Sequence, residues 1–271
     1  MSNPRRPHLA RQAIPAMLAL PLLLLLSVPI LLLVSRTTPG ALAAELQQRE
    51  TQQAIALSLA TSTAALLVTL VFGTPLAYWL SCHRSRLSAI VETLVDLPTV
   101  LPPSVAGVAL LLTLGRNGPF GNVLDSLGIE LAFTPAAVVI AQVFVASPYY
   151  VRAARAGFSS IESDVVMVSI IDGASAWQRL RSVLLPQAAP SLLAGAAMCW
   201  SRAIGEFGAT ILFAGNMPGY TQTMPLAVYM GFQGGLERAL VLSTVLVGLS
   251  LAVLLSIRLT GWRPPAPGMQ S

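Results

Sequence analysis

Ser163 to Pro186 reads SDVVMVSIIDGASAWQRLRSVLLP. Ser163 can cap a helix N-terminus, and Asp164 suits the positive end of the helix dipole. The helical run is predicted to end near Gly173, a suitable C-terminal glycine. A second helical piece is predicted from Ser175 to Leu184. It carries Arg179 and Arg181 and stops at Pro186, which cannot donate to a continuing ladder. The first piece displays Val165, Val166, Met167, Val168, Ile170 and Ile171. That is too apolar for a helix left in water. It either packs on neighbouring helices or docks into a partner protein.

The sequence around this segment is apolar. Of 271 residues, 55% are hydrophobic and only 10% charged, with a mean hydropathy of +0.72. A soluble domain carries about 25% charged residues, so the composition indicates an integral membrane protein, for which an all-α fold of six transmembrane helices is expected. All 16 basic residues are Arg. The net charge of +5 is explained by arginines held in cytoplasmic loops rather than by nucleic acid binding. Cys82 and Cys199 are too few for a disulfide framework or a metal site, and two histidines, His8 and His83, leave little for catalysis.

Stretches of about 20 apolar residues can cross a bilayer core. Six are expected: Ile14–Val34, Ala54–Leu80, Val100–Leu114, Pro135–Tyr150, Ser191–Ala214 and Leu240–Leu259. With the N-terminus (1–13) in the cytoplasm, Arg5, Arg6, Arg11, Arg84, Arg86, Arg152, Arg155, Arg179, Arg181, Arg258 and Arg263 face inside. Arg36, Arg49, Arg116 and Arg238 then face outside, which satisfies the positive-inside bias. Both ends are therefore expected in the cytoplasm, including a tail at 260–271. The N-terminal arginines, the apolar run and Ala41-Leu42-Ala43 resemble a signal peptide. The run exceeds a usual signal core of about 7–15 residues, so a retained first helix is expected. The longest cytoplasmic segment is expected at 152–190, inside a core spanning 54–259.

The spacing Gly173, nine residues, Val183-x-Leu185-Pro186 resembles the glycine–hydrophobic–Leu-Pro pattern of bacterial ABC importer permeases. In that family a Glu-Ala-Ala triplet begins six residues before the glycine. Met167-Val168-Ser169 stands there in this chain. Three further stretches are similar, in order, to molybdate and tungstate permeases: Asp96–Gly121 (DLPTVLPPSVAGVALLLTLGRNGPFG), Ser147–Phe158 (SPYYVRAARAGF) and Ser201–Tyr229 (SRAIGEFGATILFAGNMPGYTQTMPLAVY). Sulfate permeases share much of this pattern. The resemblance implies an ABC importer permease fold, a five-helix core plus an N-terminal helix, in a bacterial inner membrane. It also implies work as a dimer, expected to be of identical copies, with two ATP-binding subunits and an extracytoplasmic oxyanion-binding protein. ATP and Mg would be used by the ATP-binding partner, with no cofactor on this chain. Met167, Val168, Ser169, Gly173, Ala174, Leu185 and Pro186 would form the coupling contact.

Arg202 and Glu206 stand four apart within the fifth expected span, where they can neutralise each other on one helix face. Ionisable residues in spans are expensive and are functional candidates. The pair locks structure, or it belongs to the translocation path. A bare carboxylate would repel an oxyanion, so Glu206 fits a path only when offset by an arginine. Gly205 and Gly208 suit close helix packing. Asn216, Thr221, Gln222 and Thr223 lie in a turn-rich outer loop, which connects helices or offers neutral donors at a gate. Pro98 to Ser104 (PTVLPPS) reads as a broken helix or a simple helix start. The chain lacks G-x-x-x-x-G-K-[ST] and has no Lys to complete it, so ATP is not bound here in that way. A transport subunit that moves molybdate or tungstate is expected. The alternatives are a sulfate-type permease and an ATP-independent secondary transporter or channel. A secondary transporter would not need the apolar projection, and no internal repeat is evident.

Overall fold

The structure, a computed structural model, describes the backbone of residues 7–259 and the side chains of residues 17–256. The expected tail at 260–271 and the first six residues of the expected N-terminal segment lie outside the described residues. The chain is helical throughout, without a strand among the described residues. In order, the elements are α1 (Pro7–Arg36), α2 (Pro39–Leu46), α3 (Arg49–Cys82), α4 (Arg86–Val100), α5 (Pro103–Leu114), α6 (Pro119–Ser126) and α7 (Pro135–Ser159). Then follow α8 (Ser163–Ile171), α9 (Ala176–Arg179), a π-helical turn (Leu180–Leu184), α10 (Leu185–Ile204), α11 (Gly208–Phe213), α12 (Met224–Gly234) and α13 (Leu236–Leu259).

Five helices are long and apolar enough to cross a membrane, and the bent pair α4–α5 makes a sixth span if counted as one. The third expected span, Val100–Leu114, is thus not a straight helix. α5 has 12 residues, about 18 Å at 1.5 Å per residue, well short of a core of about 30 Å. It meets α4 at 115°. The cause lies in Pro102 and Pro103, which supply no N–H. Leu101, preceding a proline, takes extended backbone at φ −69°, ψ 137°.

The centre of the molecule is α7, which packs along both α3 and α10. α3 turns a stripe of small residues inward, including Ser58, Ser62, Ala65, Thr69, Gly73 and Ala77. Small side chains let helix axes approach closely in the absence of a hydrophobic drive. Tyr150 of α7 sits in that contact, wholly buried, with its hydroxyl 2.6 Å from Thr74 Oγ1. α7 continues to Ser159, nine residues beyond the expected end of the fourth span. Arg152 and Arg155 are therefore helical rather than the start of a loop. α1 lies on the periphery, touching α13, and just beyond its end Thr37 Oγ1 is 2.8 Å from Thr244 Oγ1 of α13.

In the projection, α8 starts at Ser163, but Ser163 does not cap it. Glu162 occupies the cap position, without a side-chain bond, and the Ser163 hydroxyl turns to Asp164. The end of α8 is as expected. Gly173 adopts φ +78°, and the N–H groups of Gly173 and Ala174 donate to the carbonyls of Ile170 and Ser169. This pairing closes the helix end, and only glycine takes that backbone conformation without a steric cost. The second piece does not stop at Pro186. The π-helical turn opens the ladder just before the proline, and Pro186 falls in the first turn of α10, where its missing N–H costs nothing.

Candidate functional site

The fifth expected span breaks in the middle. α10 ends at Ile204, Gly205 and Glu206 leave the helix, and α11 starts at Gly208. Glu206 is therefore not on a helical face with Arg202, although the pair is formed: Arg202 Nη1 lies 2.6 Å from Glu206 Oε2. The other carboxylate oxygen, Oε1, accepts the Ala209 N–H at 2.9 Å in the first turn of α11. Arg202 occupies the last turn of α10. Each charge thus stands at the helix end whose dipole it complements, the cation at a C-terminus and the anion at an N-terminus. Glu206 is 1% exposed, whereas the Arg202 side chain is 28% exposed. The carboxylate is enclosed; Oε1 is hydrogen-bonded, whereas Oε2 meets Arg202 as an ion pair without hydrogen-bond geometry, and the guanidinium keeps a partly open side.

The break faces the bend of α4–α5. A Cβ at Gly208 would lie 2.9 Å from Pro103 Cβ and 3.2 Å from the Ser104 nitrogen. In return, a Cβ at Gly107 would lie 2.8 Å from the Ala209 carbonyl oxygen. Two interrupted spans are thereby held in backbone contact. Gly205 differs from this pattern: a Cβ there would meet only the Ser201 carbonyl oxygen, at 3.6 Å, so it ends α10 rather than packing against a neighbour. It opens onto an apolar groove of about 480 Å³, lined also by Phe207, Pro225, Val228, Tyr229 and Phe232. Phe207 and Tyr229 lean together there, with ring centroids 5.3 Å apart.

The outer loop keeps its polar groups to itself. Gln222 Nε2 donates to Asn216 Oδ1 at 3.0 Å, and Thr221 Oγ1 accepts the Met217 N–H at 3.0 Å. Thr221 and Thr223 are wholly buried. The Thr223 hydroxyl, at the start of α12, has no partner, while the Met224 N–H donates to Ser58 Oγ at 2.7 Å. Of the groups expected to face an anion, Thr221, Gln222 and Thr223 are therefore buried in this conformation, while Asn216 is half-buried.

At the other end, α8 has one packed face and one exposed face. Val166 and Ile161 pack against the core, while Met167, Val168, Ile170 and Ile171 are exposed, Ile171 to 78%. Ser169 is half-buried, and its hydroxyl returns to the Val166 carbonyl oxygen at 2.6 Å. Ala174 is half-buried, Leu185 packs into the core, and Pro186 is exposed. Of the expected coupling residues, Met167 and Val168 lie on the outward face, Gly173 shapes the turn, and Leu185 faces inward.

Two features escaped the sequence reading. Gln142 of α7 is wholly buried, with neither amide atom partnered, and the Thr69 and Thr210 hydroxyls are likewise unpartnered. A Gln inside AAVVIAQVFVAS was a visible signal, but its burial was not. Leaving a buried polar group unpaired costs about 1–3 kcal/mol. Gln142→Leu, similar in size, is accordingly expected to raise the melting temperature of the detergent-solubilised protein. A fall would show that an internal partner holds the amide. The second feature is the pairing of Arg152 with Asp96, at 2.5 Å, and of Arg155 with Glu92, which joins α7 to α4.

Comparison with known proteins agrees with this architecture. A solved bacterial ABC transporter that imports the polysaccharide alginate aligns with a TM-score of 0.71 at 17% identity, over 94% of this chain and 96% of that one. The MetNI methionine ABC transporter in an inward-facing form gives 0.59 at 20% identity, over 76% of this chain and 92% of that one. These likenesses concern the fold. At the level of sequence, the probable transport system permease protein NifC of Clostridium pasteurianum is 40% identical over 216 residues, 79% of this chain and 76% of the relative. The molybdenum transport system permease protein ModB of Mycobacterium tuberculosis is 38% identical over 209 residues, 76% and 78% respectively. ModB of Escherichia coli K12 is 35% identical over 207 residues, 74% and 90%. Residues 71–260 match the family described as binding-protein-dependent transport system inner membrane component. With its bent and broken spans inside the matched region, the chain belongs to that family of membrane permease components.

Proposed function

We propose that this chain is the membrane subunit of an ATP-driven importer that carries molybdate or tungstate inward. The observation that carries the reading is the 35–40% identity to relatives named as molybdenum or NifC permeases, over about three quarters of the chain. The geometry supports the ATP-driven part. The exposed apolar face of α8 needs an occupant, and an ATP-binding subunit supplies one on the cytoplasmic side, where ATP and Mg are used. Two copies of this chain with two such subunits make the working assembly, and a binding protein delivers the oxyanion from outside. Both termini are cytoplasmic, as the arginine distribution favours.

Within this reading, Arg202, Gly205, Glu206 and Gly208 form the movable centre of the path. Glu206 is neutralised and enclosed, so it does not repel an approaching anion, and Arg202 presents the remaining positive edge. Gly205 and the Phe207–Tyr229 pair border the path at the break. Asn216 and Thr221 tie down the outer loop and Thr223 stands where it joins α12; this loop serves as gate or docking surface for the binding protein.

The test is transport by the chain reconstituted in liposomes with its ATP-binding subunit and binding protein. ATP-dependent uptake of molybdate, inhibited by tungstate and weakly by sulfate, is expected. Preference for sulfate would move the substrate while keeping the mechanism. Uptake without ATP or without the ATP-binding subunit would overturn the importer.

A further inference from the structure

α4 is thinly held to the rest of the molecule. Of its 15 residues only Ser88 is buried. Leu87, Ile90, Leu94, Leu97 and Val100 are exposed, and Val91 and Val95 alone reach the core. Its remaining tie is a ladder of charges to α7. Glu92, Asp96 and Thr99 recur on one face of α4, spaced by four and then three. Opposite them stand Arg152 and Arg155, three apart on α7. Arg152 Nε lies 2.5 Å from Asp96 Oδ1, its Nη2 donates to Thr99 Oγ1 at 3.3 Å, and Arg155 pairs with Glu92. The register is antiparallel: the earlier Glu92 of α4 meets the later Arg155 of α7, and the later Asp96 and Thr99 meet the earlier Arg152. Two positive and two negative charges cancel, as they must where helices enter an apolar layer.

The position of the ladder gives it consequence. α7 is followed within three residues by α8, whose outer face is exposed. α4 is followed by the bend at Leu101 and Pro102, then by α5, which touches α11 through Gly107 and Gly208. The ladder is thus the polar joint between α7, which runs on into α8, and α4, which leads through α5 to the broken span.

We infer that Glu92–Arg155 and Asp96–Arg152 form a latch that makes α4 follow α7, so that movement of α8 reaches the bend and the break. The four residues are positioning residues for coupling; they do not touch the transported anion. An exposed ion pair contributes little to folding in water. Here few other contacts hold α4, so the effect falls on how faithfully motion is passed on. The inference rests on the ATP-driven reading above.

The experiment uses the full complex in proteoliposomes and measures, in the same vesicles, ATP hydrolysis and molybdate uptake. Glu92→Arg, Arg155→Glu and the double exchange are compared, with Asp96→Arg, Arg152→Asp and their exchange as a second set. Each single reversal sets like charges face to face. It is expected to lower molybdate moved per ATP by roughly tenfold while hydrolysis persists. Each exchange is expected to restore the ratio to within roughly twofold, the coupling that a double-mutant cycle isolates. An unchanged ratio in the single variants, or a lowered ratio that the exchange does not restore, would overturn the latch. Should a reversal prevent recovery of the complex, Glu92→Gln and Arg155→Gln remove the pair without repulsion. A lowered ratio supports the latch there, and an unchanged one overturns it. ATP-independent uptake by the unaltered complex would instead sink the importer reading, separately from the latch.

Discussion

Glu206→Ala is expected to strip the protein from the membrane fraction and to abolish transport in what remains. The substitution leaves the Arg202 guanidinium, 2.6 Å from its present partner, without a counter-charge in the last turn of α10. It also frees the Ala209 N–H in the first turn of α11. Removing one member of a fully buried pair costs about 3–5 kcal/mol; Arg202 keeps a partly open side, so the loss is expected at or below the lower end of that range, still a large share of the stability of an ordinary domain. Glu206→Gln keeps an acceptor for the Ala209 N–H and loses only the charge, so an intermediate yield is expected. Arg202→Leu combined with Glu206→Leu removes both charges and should accumulate better than Glu206→Ala alone. Immunoblots of membrane fractions and melting in detergent would check the order. A Glu206→Ala protein as abundant and as stable as the original would show that neither contact matters.

Val168→Asp has the second large effect, confined to association. Val168 is exposed on α8, beside Met167 and one turn from Ile171. A charge there leaves the core contacts of Val166 untouched, so folding and membrane insertion should persist. If α8 docks into an ATP-binding subunit, burying the carboxylate removes an apolar anchor. Anchors of that kind contribute about 2 kcal/mol or more, so binding should weaken by roughly thirtyfold. Co-purification of the ATP-binding subunit and the rate of ATP-dependent uptake should fall together. Unaltered co-purification would mean that the exposed face of α8 meets lipid or another partner.

Much of the fold could be read from the chain because the bilayer restricts the choices. Lipid offers no partner for backbone polar groups, so a long apolar run has little alternative to a helix. The runs at 14–34, 54–80 and 240–259 became α1, α3 and α13 with only their ends moved outward. Gly173 was equally legible, since a helix end that needs a positive φ selects glycine. The short third span was flagged by its prolines, but a proline pair fits a helix start as well as a sharp bend. Pro186 misled for a related reason. Proline stops a helix only where its N–H is needed, and the π-helical turn removed that need.

The candidate site was less legible. Arg202 and Glu206 were visible as a pair, but spacing alone put them on one continuous helix. Gly205 and Gly208 looked alike in sequence and differ in space: one faces an open groove and the other abuts Pro103. The ladder of Glu92, Asp96, Arg152 and Arg155 joins residues more than fifty positions apart, and no local pattern announces it.

By itself, then, the sequence determined the helical class, the apolar spans, the projecting segment with its terminal glycine, and the charge pair in a low-dielectric setting. All of these follow from transfer energies and local backbone chemistry. Only the tertiary structure decided which side of α8 stays uncovered, where two spans are interrupted, and which charges meet. Those outcomes depend on which helix faces come into contact, and such contacts join residues far apart in the chain.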